Sequence, residues 1–126
     1  MKKILFCLLL SFITLSVTAA SKAEITFSET THDFGTIKAN EGSVTATYTF
    51  TNTGDAPLII INVTNGGCGC TTPSYPKEPI APGMTGEIKI HFNPTGRRGE
   101  FNREVKVKSN ASSKRQKLTF KGVIMP

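Results

Sequence analysis

The residues in this chain best suited to chemistry are two cysteines one position apart, Cys68 and Cys70, in Gly66-Gly67-Cys68-Gly69-Cys70-Thr71-Thr72-Pro73. In an extended strand, residues i and i+2 point the same way, with Cα atoms about 6.8 Å apart at a rise of about 3.4 Å. That spacing is the upper edge of the usual disulfide range of about 4.4–6.8 Å, and Gly69 lets the chain tighten. A Cys68–Cys70 bond would close a very small ring and gain little loop entropy. A labile bond of that kind suits exchange with a partner thiol. Two soft thiolates on one face also suit Cu(I). Structural zinc wants four ligands with wider cysteine spacing. Only His32 and His91 could complete such a set, and nothing in the sequence brings them to Cys68; Met84, a possible thioether ligand, lies in a turn. The plain alternative is a pair of small, partly buried residues closing a loop. Redox pair, disulfide, Cu(I) site and loop closure all stay open on these residues.

The compartment decides what a thiol can be. Met1-Lys2-Lys3 precedes an apolar run from Ile4 to about Val17, then Thr18-Ala19-Ala20. A basic start, a short apolar run and small residues make a secretory signal peptide, expected to be removed after Ala19. The run falls short of the roughly 20 apolar residues of a spanning helix. Cys7 lies behind bulky Phe6 within that run and is expected to leave with it. The mature protein is then exported, periplasmic or extracellular, with no transmembrane segment. Cys68 and Cys70 are its only cysteines, in a compartment where disulfides persist.

About 105 residues remain, the size of one domain, expected over residues 24–126. Without Lys2 and Lys3 the basic residues number 13 against 9 acidic, a net of +4. From Arg97 to Lys121 there are nine basic and two acidic residues; from Ala20 to Gly96, four and seven. This asymmetry points to an anionic partner for the C-terminal third.

The elements that must carry these residues read as strands. Val44, Ala46, Tyr48 and Phe50 alternate with threonines in 43–54, a half-buried strand. Ile88, Ile90 and Phe92 alternate in 86–92, and Leu118 and Phe120 in 117–124. In 100–108, Phe101, Val105 and Val107 face inward and Arg103 breaks the pattern. The β-branched run "PLIIINV", 57–63, reads as a central strand covered on both faces. Two short pieces, 24–28 and 32–37, read as a first strand in two parts. The result is an all-β, immunoglobulin-like antiparallel sandwich of about seven strands. Ala81-Pro82-Gly83 suits a type II turn. Asp33 and its neighbour His32 face opposite ways in a strand, so they form no dyad; Asp33 is expected to cap backbone N–H groups.

Strands 100–108 and 117–124 would pair as the last hairpin, with Lys106 and Lys108 beside Lys117 and Lys121. Like charges facing across strands are mildly destabilising. Their uses are an anionic glycan or lipid head group, or protection of a sheet edge. Nucleic acid is not expected, because no aromatics interleave with these lysines. No nucleophile elbow, zinc-protease helix motif or phosphate-binding glycine loop is present, so neither enzyme activity nor a cofactor is expected.

Asp33 to Ile37, Phe50 to Gly54, Cys68 to Pro73 and Pro82 to Gly86 together resemble the pattern Asp-Phe-Gly-x-Ile, Phe-x-Asn-x-Gly, Cys-Gly-Cys-Thr-x-Pro and Pro-Gly-x-x-Gly. That order resembles the bacterial family known as domain of unknown function 1573. The resemblance implies an immunoglobulin-like fold related in plan to PapD-like and ciliary ASH/Hydin modules, on exported proteins of Bacteroidetes-type bacteria. It implies no activity. The expected role is an exported, non-enzymatic binding or scaffolding module that engages an envelope or extracellular protein by strand addition, with the Cys68–Cys70 thiol site as the alternative.

Overall fold

A computed structural model of the protein describes residues 21–112 and 115–126. The expected signal segment 1–19 lies outside the described residues. The described residues form a two-sheet, all-β, immunoglobulin-like sandwich of eight strands: β1 (Ile25–Phe27), β2 (Thr31–Lys38), β3 (Val44–Asn52), β4 (Ile60–Val63), β5 (Thr71–Ser74), β6 (Thr85–Phe92), β7 (Gly99–Ser109) and β8 (Gln116–Met125). One sheet has the order β1-β3-β6-β5 and the other β2-β8-β7-β4. All pairings are antiparallel except β2 with β8, which is parallel.

The alternating strands deliver the core. Ala46, Tyr48, Phe50, Ile88, Ile90 and Phe92 from the first sheet pack against Val105, Val107, Leu118, Phe120 and Ile124 from the second. Period-two alternation on both sheets makes one dry layer between them. Phe92 stacks on Phe101 at 4.8 Å between ring centres and leans on Phe120 at 5.4 Å. Tyr48 ties the layers together: its hydroxyl donates across the core to the Thr119 carbonyl at 2.6 Å. Burial raises the Tyr48 pKa above its ordinary value, because the ionised form would lose its water.

Asn52, at the end of β3, is fully buried. Its Nδ2 donates to the carbonyls of Ala56 and Ile80, at 2.8 and 2.9 Å, and its Oδ1 accepts from the N–H of Gly54 at 3.0 Å and Glu24 at 3.4 Å. One side chain thus pins three loops to the end of the strand. Gly83 has φ 81°, and Met84 N–H donates to Ala81 at 3.0 Å, which is the expected type II turn. Asp33 accepts from the N–H of Gly35 at 2.8 Å, the expected capping contact, where β2 bulges.

Three expectations are corrected. The run 57–63 is not a central strand covered on both faces. Leu58 bridges Ile80 on one side; the chain then turns to pair β4 with β7, and β4 ends its sheet. Ile60 and Val63 are buried, while Ile59 and Ile61 are exposed. The pieces 24–28 and 32–37 belong to different sheets, because the chain crosses between Ser28, bonded to Thr49, and Thr30, bonded to Thr119. An eighth strand, β5, contains Pro73 and ends its sheet, a place where a missing N–H is tolerated.

Candidate functional site

The cysteine loop is built from two successive turns. Asn65 opens the first: its carbonyl accepts from Cys68 N–H at 3.3 Å and its Oδ1 from Gly67 N–H at 2.9 Å. Gly66 and Gly67 both have positive φ, at 68° and 82°, as a type I′ turn requires. A Cβ on Gly66 would also sit 2.7 Å from the Glu104 carbonyl, so this glycine lets the loop lie against β7. The second turn closes with Thr71 N–H donating to Cys68 O at 3.2 Å. It brings the Cα atoms of Cys68 and Cys70 to 5.2 Å, and the two are joined as a disulfide.

The two sulfurs have different surroundings. Cys68 is nearly buried, 9% exposed, and less reachable than a pair at an open rim would be. Its Sγ accepts from the Cys70 N–H at 3.2 Å and from Nη2 of Arg97 at 3.3 Å. Cys70 is half-buried, and its Sγ lies 3.5 Å from the Thr71 hydroxyl. Gly69 has ordinary φ, and a Cβ there would meet nothing within 4 Å. It is itself exposed to solvent.

Sequence reading did not single out Arg97, which carries no periodic signal. The β6–β7 loop delivers it. Asn93 N–H donates to the Cys70 carbonyl at 2.9 Å, and Asn93 Oδ1 accepts from Thr95 N–H at 3.1 Å. Pro94 is buried, and Arg97 N–H donates back to it at 3.0 Å across Gly96, φ 79°. The metal alternative gains no ligands: among the described residues no three His, Cys, Asp or Glu side chains come together. His91 instead meets the Thr45 hydroxyl at 2.9 Å, His32 packs edge-on to Phe34, and Met84 is exposed in its turn.

The basic hairpin forms as expected, but its four lysines do not all gather. Lys106 pairs directly with Lys117 across β7 and β8, and Lys108 faces Asn62 of β4. Lys121 lies further along, opposite Asn102 on one side and Asp33 on the other. Lys106, Lys108 and Lys117 therefore share one area of the outer face, and Lys121 sits beside a carboxylate. Strand β4 is the edge strand paired with β7 on this sheet, and Ile59 and Ile61 are exposed on its segment of chain.

The fold is shared with solved structures at identities that speak for architecture alone. A protein of unknown function from Porphyromonas gingivalis W83 superposes with TM-score 0.71 at 19% identity, over 86% of this chain and 50% of that one. The chain thus spans half the length of that relative. The VesB protease of Vibrio cholerae superposes with TM-score 0.61 at 12% identity, over 82% of this chain and 32% of that one. The ASH / PapD-like domain 7 of human CEP192 superposes with TM-score 0.62 at 12% identity, over 92% and 95% of the two chains. No curated protein matches. Residues 25–124 match the family model described as "Protein of unknown function (DUF1573)", and with nearly all of the sandwich inside that match, the chain belongs to this family.

Proposed function

We propose that the domain is an exported, non-enzymatic binding module that takes an extended, acidic segment of a partner protein as an added strand along β4. The observation that carries this reading is the β4 border: an edge strand with Ile61 51% exposed and Ile59, just before the strand, 40% exposed. An open edge offers unpaired backbone groups, and an added strand satisfies them while neighbouring side chains select the sequence. Burying two isoleucines gives the partner's apolar side chains a place to sit. Lys106, Lys108 and Lys117 beside them favour acidic residues in the same segment. A lipid or glycan surface would use the lysines and leave the isoleucines and the edge unused. The fold supports binding; the protease likeness, at 12% identity over 32% of that chain, speaks for the fold alone.

The test is selection from a displayed library of random extended peptides. Peptides with alternating apolar and acidic residues should be enriched, and Ile61→Lys should weaken their binding at least 10-fold with the fold intact. Enrichment that ignores Ile61→Lys, or no enrichment at all, would sink the proposal.

A further inference from the structure

The disulfide loop follows β4 and lies outside that strand. Its two sulfurs are chemically unequal. Cys68 Sγ receives a backbone N–H and a guanidinium, at 3.2 and 3.3 Å; Cys70 Sγ has one hydroxyl at 3.5 Å. The one ion pair among the described residues joins Lys38 and Glu41, so Arg97 makes no direct ion pair with a described carboxylate. The buried partner is Cys68 and the more open one is Cys70, with bare Gly69 beside it.

Thiol–disulfide exchange needs an accessible sulfur to attack and a leaving sulfur that carries negative charge well. A cationic neighbour makes a thiolate a better leaving group. The turn that carries Arg97 is tied to this loop through Asn93, whose N–H is bonded to the Cys70 carbonyl, and this brings Arg97 Nη2 within 3.3 Å of Cys68 Sγ. We propose that the Cys68–Cys70 disulfide exchanges with dithiol proteins, Cys70 taking the attack and Cys68 leaving as a thiolate held by Arg97.

The steps balance. A partner thiolate attacks Cys70 Sγ; the Cys68–Cys70 bond breaks, and its electron pair leaves on Cys68 Sγ. That charge is met by Arg97 and the Cys70 N–H. The partner's second thiol, deprotonated, attacks its own sulfur in the mixed disulfide and expels Cys70 as a thiolate, which takes a proton from water. The partner dithiol is oxidised to a disulfide; Cys70 ends as a thiol and Cys68 as the thiolate beside Arg97.

The experiment reacts the folded protein with reduced glutathione, quenches with iodoacetamide and maps the adducts by peptide mass. Glutathione should sit on Cys70 and the alkyl group on Cys68. Reduction by dithiothreitol should slow about 3–10-fold in Arg97→Gln, the effect of raising a leaving thiol by about one to two pKa units. Arg97→Lys, which keeps the charge, should recover most of the rate. Glutathione on Cys68, or a rate indifferent to Arg97→Gln, would overturn the assignment. A third measurement leaves residue 97 untouched: Cys68 in the Cys70→Ser variant should titrate below Cys70 in the Cys68→Ser variant, and equal or reversed acidity would likewise overturn it. None of these readouts depends on peptide binding at β4.

Discussion

Replacing Asn52 with alanine should cost this domain a large part of its stability. The side chain is fully buried and makes four hydrogen bonds to backbone groups at residues 24, 54, 56 and 80. An intramolecular hydrogen bond contributes about 0.5–1.5 kcal/mol net, and a buried group left without a partner costs more. Three bonds between 2.8 and 3.0 Å at about 1 kcal/mol each, with a weaker fourth at 3.4 Å, give about 3 kcal/mol. For a domain near 100 residues that is a fall in melting temperature of about 15 °C. Asn52→Asp should be worse than alanine at neutral pH. It points a carboxylate oxygen at two carbonyls where the amide donated, and it regains stability when acid protonates it. Urea unfolding at pH 7 and pH 4 reads both effects. An alanine variant within about 1 kcal/mol of the parent, or an aspartate variant equal to alanine at both pH values, would refute the reasoning.

Tyr48→Phe should cost about 1–2 kcal/mol, because the Thr119 carbonyl loses its donor. It should also flatten the alkaline limb of stability. The unfolded tyrosine ionises near pH 10 while the folded one stays protonated, so stability falls as pH rises past that value, by up to about 1.4 kcal/mol per pH unit; unfolding at pH 9–11 reads the slope. Gly86→Ala should destabilise by about 1–3 kcal/mol, because a Cβ there would meet the Phe50 ring at 2.5 Å; thermal melts check it. Replacing Cys68 and Cys70 together by serine should cost under about 2 kcal/mol, since so short a loop constrains the unfolded chain little; loss of folding would make the pair structural. Reversing the charge of Lys106, Lys108 and Lys117 should abolish salt-sensitive retention on an acidic resin, whereas reversing Lys121 alone, beside Asp33, should change it little.

Strands with a clean two-residue alternation were legible from the residues: β3, β6, β7 and β8 follow the positions of Val, Ile and Phe. The run at 57–63 misled because continuous β-branched residues signal two covered faces only when the strand keeps one set of neighbours. Here the chain changes partners between Leu58 and Ile60, which leaves Ile59 and Ile61 outside. Strand β5 had no signal of its own; it forms because β6 offers a partner to residues 71–74. Asn52 was visible as a motif letter, but its four bonds depend on loops distant in sequence. The cysteines announced themselves by spacing, while Arg97 reaches them only through a turn that the β6–β7 connection happens to aim there. Side chains that act across loops depend on coordinates that periodicity does not encode.

The parallel pairing of β2 with β8 has a kinetic consequence. Thr31 meets Thr119 and Lys38 meets Met125, so a strand near the start of the fold waits for the last one. Strand β8 lies between β2 and β7, and until it arrives the second sheet is divided, with Val105 and Val107 uncovered on one flank. Contacts between such distant residues make folding slow, and an unfilled gap between strands exposes backbone and apolar surface to other chains. A chain that emerges N-terminus first therefore cannot finish this sandwich piecemeal. Strands β2 and β7 stay open to competing strands until β8 fills the slot between them.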